Sequence, residues 1–165
     1  MKILLTNDDG FFAPGIKALY KVLAMENKYS LYIIAPERQR SAVSRSITLH
    51  KPLFVTKHEI ADNVIGYTVN GTPTDCVKIA IQGDVLPVKP DLIISGINAG
   101  PNLGTDVFYS GTVSAAMEGG LLGIPSIAVS VACYDCEDYF PSAKYIDSLL
   151  KKYSQLFQEN LVLNI

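Results

Sequence analysis

The sequence predicts one α/β domain built around a mostly parallel β-sheet, and three observations support this prediction. Short apolar runs alternate with stretches of helical periodicity, which is the pattern of successive βα units. Hydrophobic residues make up 48% of the chain and charged residues only 18%, as a sheet covered on both faces requires. The length of 165 residues suits a single domain over 1–165 with a substantial core.

The strands are predicted from apolar and β-branched runs that end at prolines, glycines or polar turns. Pro36 ends the second run, and the Asn70-Gly71 pair is a turn signal after the fifth. We expect the runs between 47 and 69 to pair in mixed directions, a polar loop over 37–46 and a glycine-rich loop over 96–111. The predicted strands are Ile3–Leu5, Leu31–Ala35, Ile47–Leu49, Leu53–Thr56, Val64–Val69, Leu92–Ser95, Ser126–Val131 and Leu161–Ile165.

Four helices are predicted between these strands. The first begins near Pro14 and repeats apolar residues at the spacing of one buried helix face. The second opens at Pro73, and Gly123 with Pro125 ends the third. The later helices are predicted over Thr72–Ile81, Thr112–Leu122 and Ser142–Phe157.

Composition and charge exclude several classes of protein. The net charge of −2 and the pI of about 5.6 argue against a specific nucleic-acid partner. No apolar run approaches the roughly 18 residues of a membrane span, and the N-terminus is no signal peptide. Three cysteines fit a reducing compartment better than a disulfide framework, so we expect a cytoplasmic protein.

The first predicted strand runs directly into Asn7, Asp8, Asp9 and Gly10. Ligands of doubly wound sheets bind beyond the carboxyl ends of the strands, which is where this acidic pair lies. Adjacent carboxylates repel each other, so either a cation compensates them or one of them holds a proton. Such oxygen-rich sites suit Mg²⁺ or Mn²⁺. A solvated Asp-Asp-Gly turn is the alternative interpretation of this short motif.

Two further loops contain neutral oxygens that suit the same kind of ion. Asn98 follows a core strand, although an asparagine there could simply tolerate a left-handed turn. Ser41 lies among three arginines of the polar loop, Arg38, Arg40 and Arg45, whose guanidinium groups suit phosphate. A solvated basic loop explains the same arginines equally well.

The segment Ser110-Gly111-Thr112 leads directly into the third predicted helix. The free N–H groups and the dipole of a helix N-terminus favour anions such as phosphate, and the two hydroxyls add donors. Ordinary helix capping by Ser110 or Thr112 explains the same residues. The two interpretations are compatible.

Taken together, these motifs resemble the SurE family, the survival-protein E nucleotidases. The resemblance spans nearly the whole chain, in the order that the family shows. It rests on Thr6–Gly10, Ala35-Pro36, Arg40-Ser41, Ser46–Thr48, Gly71–Val77, Ser95–Asn98, Gly100–Asn102 and Tyr109–Val113.

The resemblance implies a three-layer α/β/α sandwich and a metal-dependent phosphatase of nucleoside 5′-monophosphates, often of 3′-monophosphates too. It implies one divalent cation, Mg²⁺ or Mn²⁺, at Asp8, Asp9, Ser41 and Asn98. It also implies a homodimer or homotetramer. Family members usually continue past the position of Ile165 into strands and a hairpin that build the oligomer, so we expect this chain to lack the family's C-terminal extension.

The resulting hypothesis is a phosphomonoesterase in which Asp8 and Asp9 are catalytic. The phosphate is expected at Asn7, Asn102, Ser110, Gly111 and Thr112. Either a metal-activated water or the Asp8 carboxylate is the nucleophile.

Two alternatives to this hypothesis stay open. One is a nucleotide-binding module without turnover. The other is a receiver-type phosphoacceptor domain, which would need an Asp and a Lys at the ends of later core strands; Ser95-Gly96 and Ala132-Cys133 stand there instead.

Overall fold

The computed structural model describes residues 1–61, 64–158 and 160–165, and its strands and helices alternate along the chain. Residues 104–108 and 154–158 form short 3₁₀ helices. The main elements are β1 (Lys2–Thr6), α1 (Pro14–Ala24), β2 (Ser30–Pro36), β3 (Val55–Ala61), β4 (Val64–Val69), α2 (Pro73–Gln82), β5 (Leu92–Ala99), α3 (Gly111–Leu121), β6 (Ser126–Val131), α4 (Phe140–Lys152) and β7 (Val162–Asn164).

The strands form one seven-stranded sheet in the order β3-β4-β2-β1-β5-β6-β7. All neighbours are parallel except β3, which runs antiparallel to β4 at one edge. The chain moves from β1 outwards to β2 and β4, then returns to β5 on the other side of β1. Strand order therefore reverses next to β1, and this is where α/β proteins bind ligands.

Two apolar layers cover the sheet, which confirms the predicted three-layer sandwich. Ile3 and Leu5 of β1 pack in the same cluster as α1 and α4. Leu4, which points to the opposite face, packs in the cluster formed with α2 and α3. The alternation of a β-strand thus gives each face its own core, and all three side chains are fully buried.

Each helix begins at a residue that suits a helix N-terminus. Proline occupies the first turn of α1, α2 and α4, where its missing N–H costs no hydrogen bond. Thr72 and Asp75 form a capping box at α2, and the Ser110 hydroxyl accepts the N–H of Val113 at 3.1 Å to cap α3. These local contacts explain why the predicted helix starts agree with the structure to within about two residues.

The predicted strand over Ile47–Leu49 is wrong, because this segment is irregular. Its polar groups bond to the start of α2 instead of to a neighbouring strand. The N–H and hydroxyl of Thr48 donate to Asp75 at 2.9 and 2.7 Å, and the Ser46 carbonyl accepts the Thr72 hydroxyl at 2.7 Å. The strand predicted over Leu53–Thr56 begins at Val55 and continues through β3.

Two further boundaries differ from the predictions. The glycine-rich loop was expected from Gly96, but β5 continues to Ala99 with an irregular register against β6, because Ile97 is buried in the core. The last helix was expected to reach Phe157, yet α4 ends at Lys152 because Tyr153 leaves helical geometry. Phe157 still packs in the core from the following 3₁₀ helix.

In the part of the chain that the structure describes, no helix combines the length and the apolar character needed to cross a membrane.

Gly15 lets α1 pack directly against β5. A Cβ atom at this position would lie 2.0 Å from the carbonyl oxygen of Ile97. We expect Gly15→Ala to lower the free energy of unfolding by about 1–3 kcal/mol, although alanine is the better helix former. Urea unfolding measures this, with the exposed Lys21→Ala on α1 as a control expected to change stability by less than about 0.5 kcal/mol. A Gly15→Ala variant as stable as the parent would contradict this packing.

Candidate active site

A polar cleft of about 440 Å³ opens at the carboxyl edge of the sheet. Four chain segments meet there: the turn after β1, the loop after β2, the end of β5 with its following loop, and the start of α3. The loop after β6 closes one side. The lining residues are Asp8, Asp9, Gln39, Ser41, Ala42, Asn98, Ala99, Gly100, Pro101, Asn102, Asp106, Tyr109, Ser110 and Tyr134.

Asp8 is the most buried acid of the cleft, with only 5% of its surface exposed. Its Oδ1 accepts a hydrogen bond from the Thr112 hydroxyl, and the backbone N–H groups of Gly111 and Thr112 also bond to its carboxylate. Burial raises the pKa of Asp8 above its ordinary value, and these hydrogen bonds oppose that effect. The N-terminus of α3 therefore holds an anion supplied by the protein itself.

Gly111 makes this contact possible. A Cβ atom there would lie 2.7 Å from the Cβ of Asp8 and 2.9 Å from its Oδ2. The carboxylate can approach the first turn of α3 only because the side chain is absent.

Asp9 lies beside Asp8 and is less buried. Its pKa is raised to about 6, first by burial and then by the charge of Asp8, while a hydrogen bond from the Ala99 N–H lowers it. The two carboxylates thus carry an unfavourable charge interaction that a bound cation would relieve.

Asn7 shapes the turn that holds this pair. Its Nδ2 donates to the Gly10 carbonyl at 2.9 Å, and its Oδ1 accepts the Gly10 N–H at 3.1 Å. The residue is fully buried, so both of its side-chain polar groups serve the turn rather than the cleft wall.

Asn98 and Ser41 also line the cleft. The Asn98 Nδ2 donates to the carbonyls of Ala99 and Gly100 at 3.1 and 2.8 Å, which leaves Oδ1 as its remaining polar atom. The Ser41 Oγ accepts from the Gln39 Nε2 at 2.9 Å. Both side chains therefore supply oxygens to the same cleft as the two carboxylates.

Backbone contacts fix the loop that carries Ser41. The Arg40 N–H donates to the Asp8 carbonyl at 2.7 Å. Ser44 donates from its N–H to the Tyr109 carbonyl at 3.1 Å and from its hydroxyl to the Phe108 carbonyl at 2.8 Å. The loop is thus anchored both to the acidic turn and to the segment before α3.

The residues expected to bind phosphate divide into three groups. Asn102 and Ser110 line the cleft, with the Asn102 Nδ2 bonded to the Ser130 Oγ at 2.8 Å. Gly111 and Thr112 lie beneath Asp8 at the start of α3, and Thr112 is fully buried. Asn7, as described above, lies within the turn.

Sequence reasoning missed several residues of the rim, chiefly Tyr109, Tyr134 and Asp106. Both tyrosines are strongly exposed, at 65% and 73%. Tyr109 directly precedes the Ser110 motif, so its neighbourhood could have suggested it. Tyr134 lies beyond β6, and only the pairing of β6 with β5 brings it to the cleft.

In the part of the chain that the structure describes, the acidic pair has no third His, Cys, Asp or Glu beside it that would complete a metal-binding cluster. Within residues 1–61, 64–158 and 160–165, no three His, Cys, Asp or Glu side chains form a cluster that could hold a metal ion. Any cation held here would therefore depend on the two carboxylates together with neutral oxygens, which is the chemistry of hard ions such as Mg²⁺.

We expect Asp9→Asn to raise the free energy of unfolding by about 1–3 kcal/mol at about pH 7.5 in EDTA. The pKa near 6 in the folded protein, against 3.8 for an unperturbed carboxyl, means that folding penalises the charged form. The gain in stability of Asp9→Asn should shrink as the pH falls from 6 towards 3.8, because the Asp9 carboxyl of the parent takes up a proton in the folded state before it does so in the unfolded state. Urea unfolding at several pH values measures this.

The exposed Asp84→Asn is the matched control for this series and should stay within about 0.5 kcal/mol of the parent. A loss of stability in Asp9→Asn at neutral pH would show that its charge is favourably compensated within the protein.

Comparison with known proteins places this chain in a family. Residues 3–165 match the family model described as survival protein SurE. The 5′-nucleotidase SurE of Desulfitobacterium hafniense (strain DSM 10664 / DCB-2) is 62% identical over 152 residues, covering 92% of this chain and 59% of the relative. That of Desulforudis audaxviator is 52% identical over 169 residues, covering 100% of this chain and 65% of the relative.

A crystal structure of the SurE protein from Aquifex aeolicus shares the fold, with a TM-score of 0.80 and 39% sequence identity. The match covers 100% of this chain and 66% of that one. This chain therefore spans about three fifths of the length of the curated relatives that it matches. A family match over residues 3–165 and a shared fold lead to one conclusion: the chain belongs to the SurE family.

Proposed function

We propose that this protein is a metal-dependent phosphomonoesterase that hydrolyses nucleoside 5′-monophosphates, and 3′-monophosphates as well, to nucleoside and phosphate. The observation that carries the proposal is the convergence of a buried and a partly buried carboxylate, which repel each other, with the oxygens of Ser41 and Asn98 in one cleft. The names of the relatives, 5′-nucleotidase SurE, support the same activity.

The residues fit a single hard divalent cation. Asp8, Asp9, Ser41 and Asn98 supply only oxygens, and the charge repulsion within the acidic pair favours a cation between its members. When bound, Mg²⁺ or Mn²⁺ polarises a phosphoryl oxygen and lowers the pKa of a coordinated water. Asn7 and Thr112 take part by holding the acidic turn and the Asp8 carboxylate in place.

The phosphate is proposed to bind beside the acidic pair, against Asn102 and Ser110 on the cleft wall. Gly111 and Thr112 act on the phosphate site indirectly, because their N–H groups hold the Asp8 carboxylate at the N-terminus of α3. We assign the nucleophile to water, since one oxygen of Asp8 is already bonded to the Thr112 hydroxyl in a buried position. Asp9 is the less buried carboxylate and is the candidate to accept the proton of that water.

The rim of the cleft suits a nucleoside. Tyr109 and Tyr134 expose their rings beside the polar floor, and the Tyr134 ring lies directly against the backbone of Gly100. Aromatic rings bind nucleobases by stacking with little preference for the base. This arrangement favours a nucleotide over a phosphomonoester without a base.

The location and assembly of the protein are part of the proposal. Cys76, Cys133 and Cys136 are free thiols, in keeping with a cytoplasmic enzyme. We also propose that the whole protein forms the homodimer or homotetramer that the family resemblance implies.

Asp8→Asn should reduce metal-dependent phosphate release to background, since the variant keeps the shape of the side chain and loses the charge that attracts the cation. The assay uses a panel of nucleoside 5′- and 3′-monophosphates with Mg²⁺, with Mn²⁺ and with EDTA. Asp84→Asn, an exposed acid outside the cleft, is the matched control and should retain full activity. Undiminished activity in Asp8→Asn would refute the assignment, and nucleotide binding without release by the parent protein would support a non-catalytic binding module.

Tyr134→Ala should raise the KM for nucleoside monophosphates by roughly fivefold or more, because stacking on a base is worth about 1–3 kcal/mol. The KM for ribose 5-phosphate, which has no base, should stay unchanged. Tyr145→Ala on α4 removes an exposed ring outside the cleft lining and is the control. An equal rise of KM for both substrates would mean that Tyr134 shapes the loop and does not contact the base.

A further inference from the structure

A second cleft of about 330 Å³ lies beside the candidate active site, beyond the ends of β2 and β4. Its lining contains three cationic side chains, Arg38, Arg40 and Lys51, and we call it the cationic cleft. Glu37 is the single acid among its lining residues. This concentration of positive charge stands out in a chain whose net charge is −2.

The three cations of this cleft have no anionic partner among the described residues. The ion pairs of residues 1–61, 64–158 and 160–165 connect lysines 28, 78 and 151 to acids outside this cleft. Among these residues, neither Glu37 nor another carboxylate lies within ion-pair distance of the cationic cleft's arginines or lysine. Their charges therefore favour an anion from solution.

The guanidinium of Arg40 is held in place and still has donors to offer. Its Nη2 donates to the Asn70 carbonyl at 2.7 Å, which fixes the side chain against the end of β4. Its Nε is buried without a partner and is closed to solution, whereas its Nη1 has no hydrogen bond with the described residues and is not buried. A fixed guanidinium with unused N–H groups is a strong ligand for phosphate oxygens.

The cationic cleft and the candidate active site share one strip of backbone, residues 37–41. Arg38 and Arg40 line the cationic cleft, whereas Gln39 and Ser41 line the active-site cleft. Residues 37–41 are irregular and include bends after β2, and Glu37 also lines the cationic cleft, so one loop serves two clefts. The Arg40 N–H also donates to the Asp8 carbonyl at 2.7 Å, which connects the cationic cleft to the acidic turn.

We propose that the cationic cleft is a binding site for a small, multiply charged phosphate-bearing anion, separate from the metal-dependent site. Arg38, Arg40 and Lys51 neutralise the anion, and the Thr48 side chain lies on the same wall. Binding here needs no metal ion, because the protein itself supplies the positive charge. The proposal does not rest on the phosphatase activity proposed above.

The test is isothermal titration of the full chain with inorganic pyrophosphate in EDTA at low ionic strength. Without a metal ion, the carboxylates of the active-site cleft repel the anion, so the measurement reports the cationic cleft. We expect saturable binding at one site. Arg38→Ala and Lys51→Ala should each weaken it by roughly tenfold, as expected for the loss of a charge-assisted contact.

Lys57→Ala is the matched control, because it removes one exposed positive charge from β3 outside the lining of the cleft. If Lys57→Ala weakened pyrophosphate binding equally, the net charge of the protein would explain the effect, and the proposal would be overturned. The proposal would also be overturned if the folded parent showed no saturable binding. It would be overturned as well if Asp8→Asn bound pyrophosphate more tightly by as much as Arg38→Ala and Lys51→Ala bind it more weakly. Loss in Arg38→Ala and Lys51→Ala with an unchanged circular dichroism spectrum supports the site.

Discussion

The burial of the Asp8 carboxylate against the first turn of α3 is the interaction around which the rest of the site is arranged. It needs the end of β1 and the start of α3 to meet, although 104 residues separate Asp8 from Thr112. Gly111 provides the space, and the Thr112 hydroxyl with two backbone N–H groups provides the hydrogen bonds. The parallel sheet supplies the rigidity, because β1 lies between β2 and β5 with a core on both faces.

This arrangement carries a cost in stability. The pKa of Asp9 is raised to about 6, first because burial removes water from its carboxyl and then because the Asp8 carboxylate lies beside it. Functional sites commonly hold such unfavourable charge pairs, and the surrounding fold must keep them in place. Here the Asn7 turn fixes the acidic pair from one side, while the Arg40 N–H holds the Asp8 carbonyl from another.

Local sequence patterns predicted most of the fold and many of the cleft residues. The core strands and the helix starts follow from apolar periodicity and capping residues, which act over a few neighbours. The failures have a different origin. Ile47–Leu49 has the composition of a strand, but Asp75 of a distant helix binds the Thr48 backbone N–H instead. Ile97 lies in what looked like a glycine-rich loop, yet the pairing of β5 with β6 continues past it.

The sequence by itself determined that an acidic pair ends the first strand and that the chain has the motifs of its family, since both are read from contiguous residues. Only the tertiary structure decided which oxygens share a cleft with that pair, that Thr112 serves Asp8 and that Tyr134 lines the rim. It also decided that the arginines of one loop face a cleft of their own. Strand order sets these contacts, because it brings together loops that are remote along the chain and that no local pattern relates.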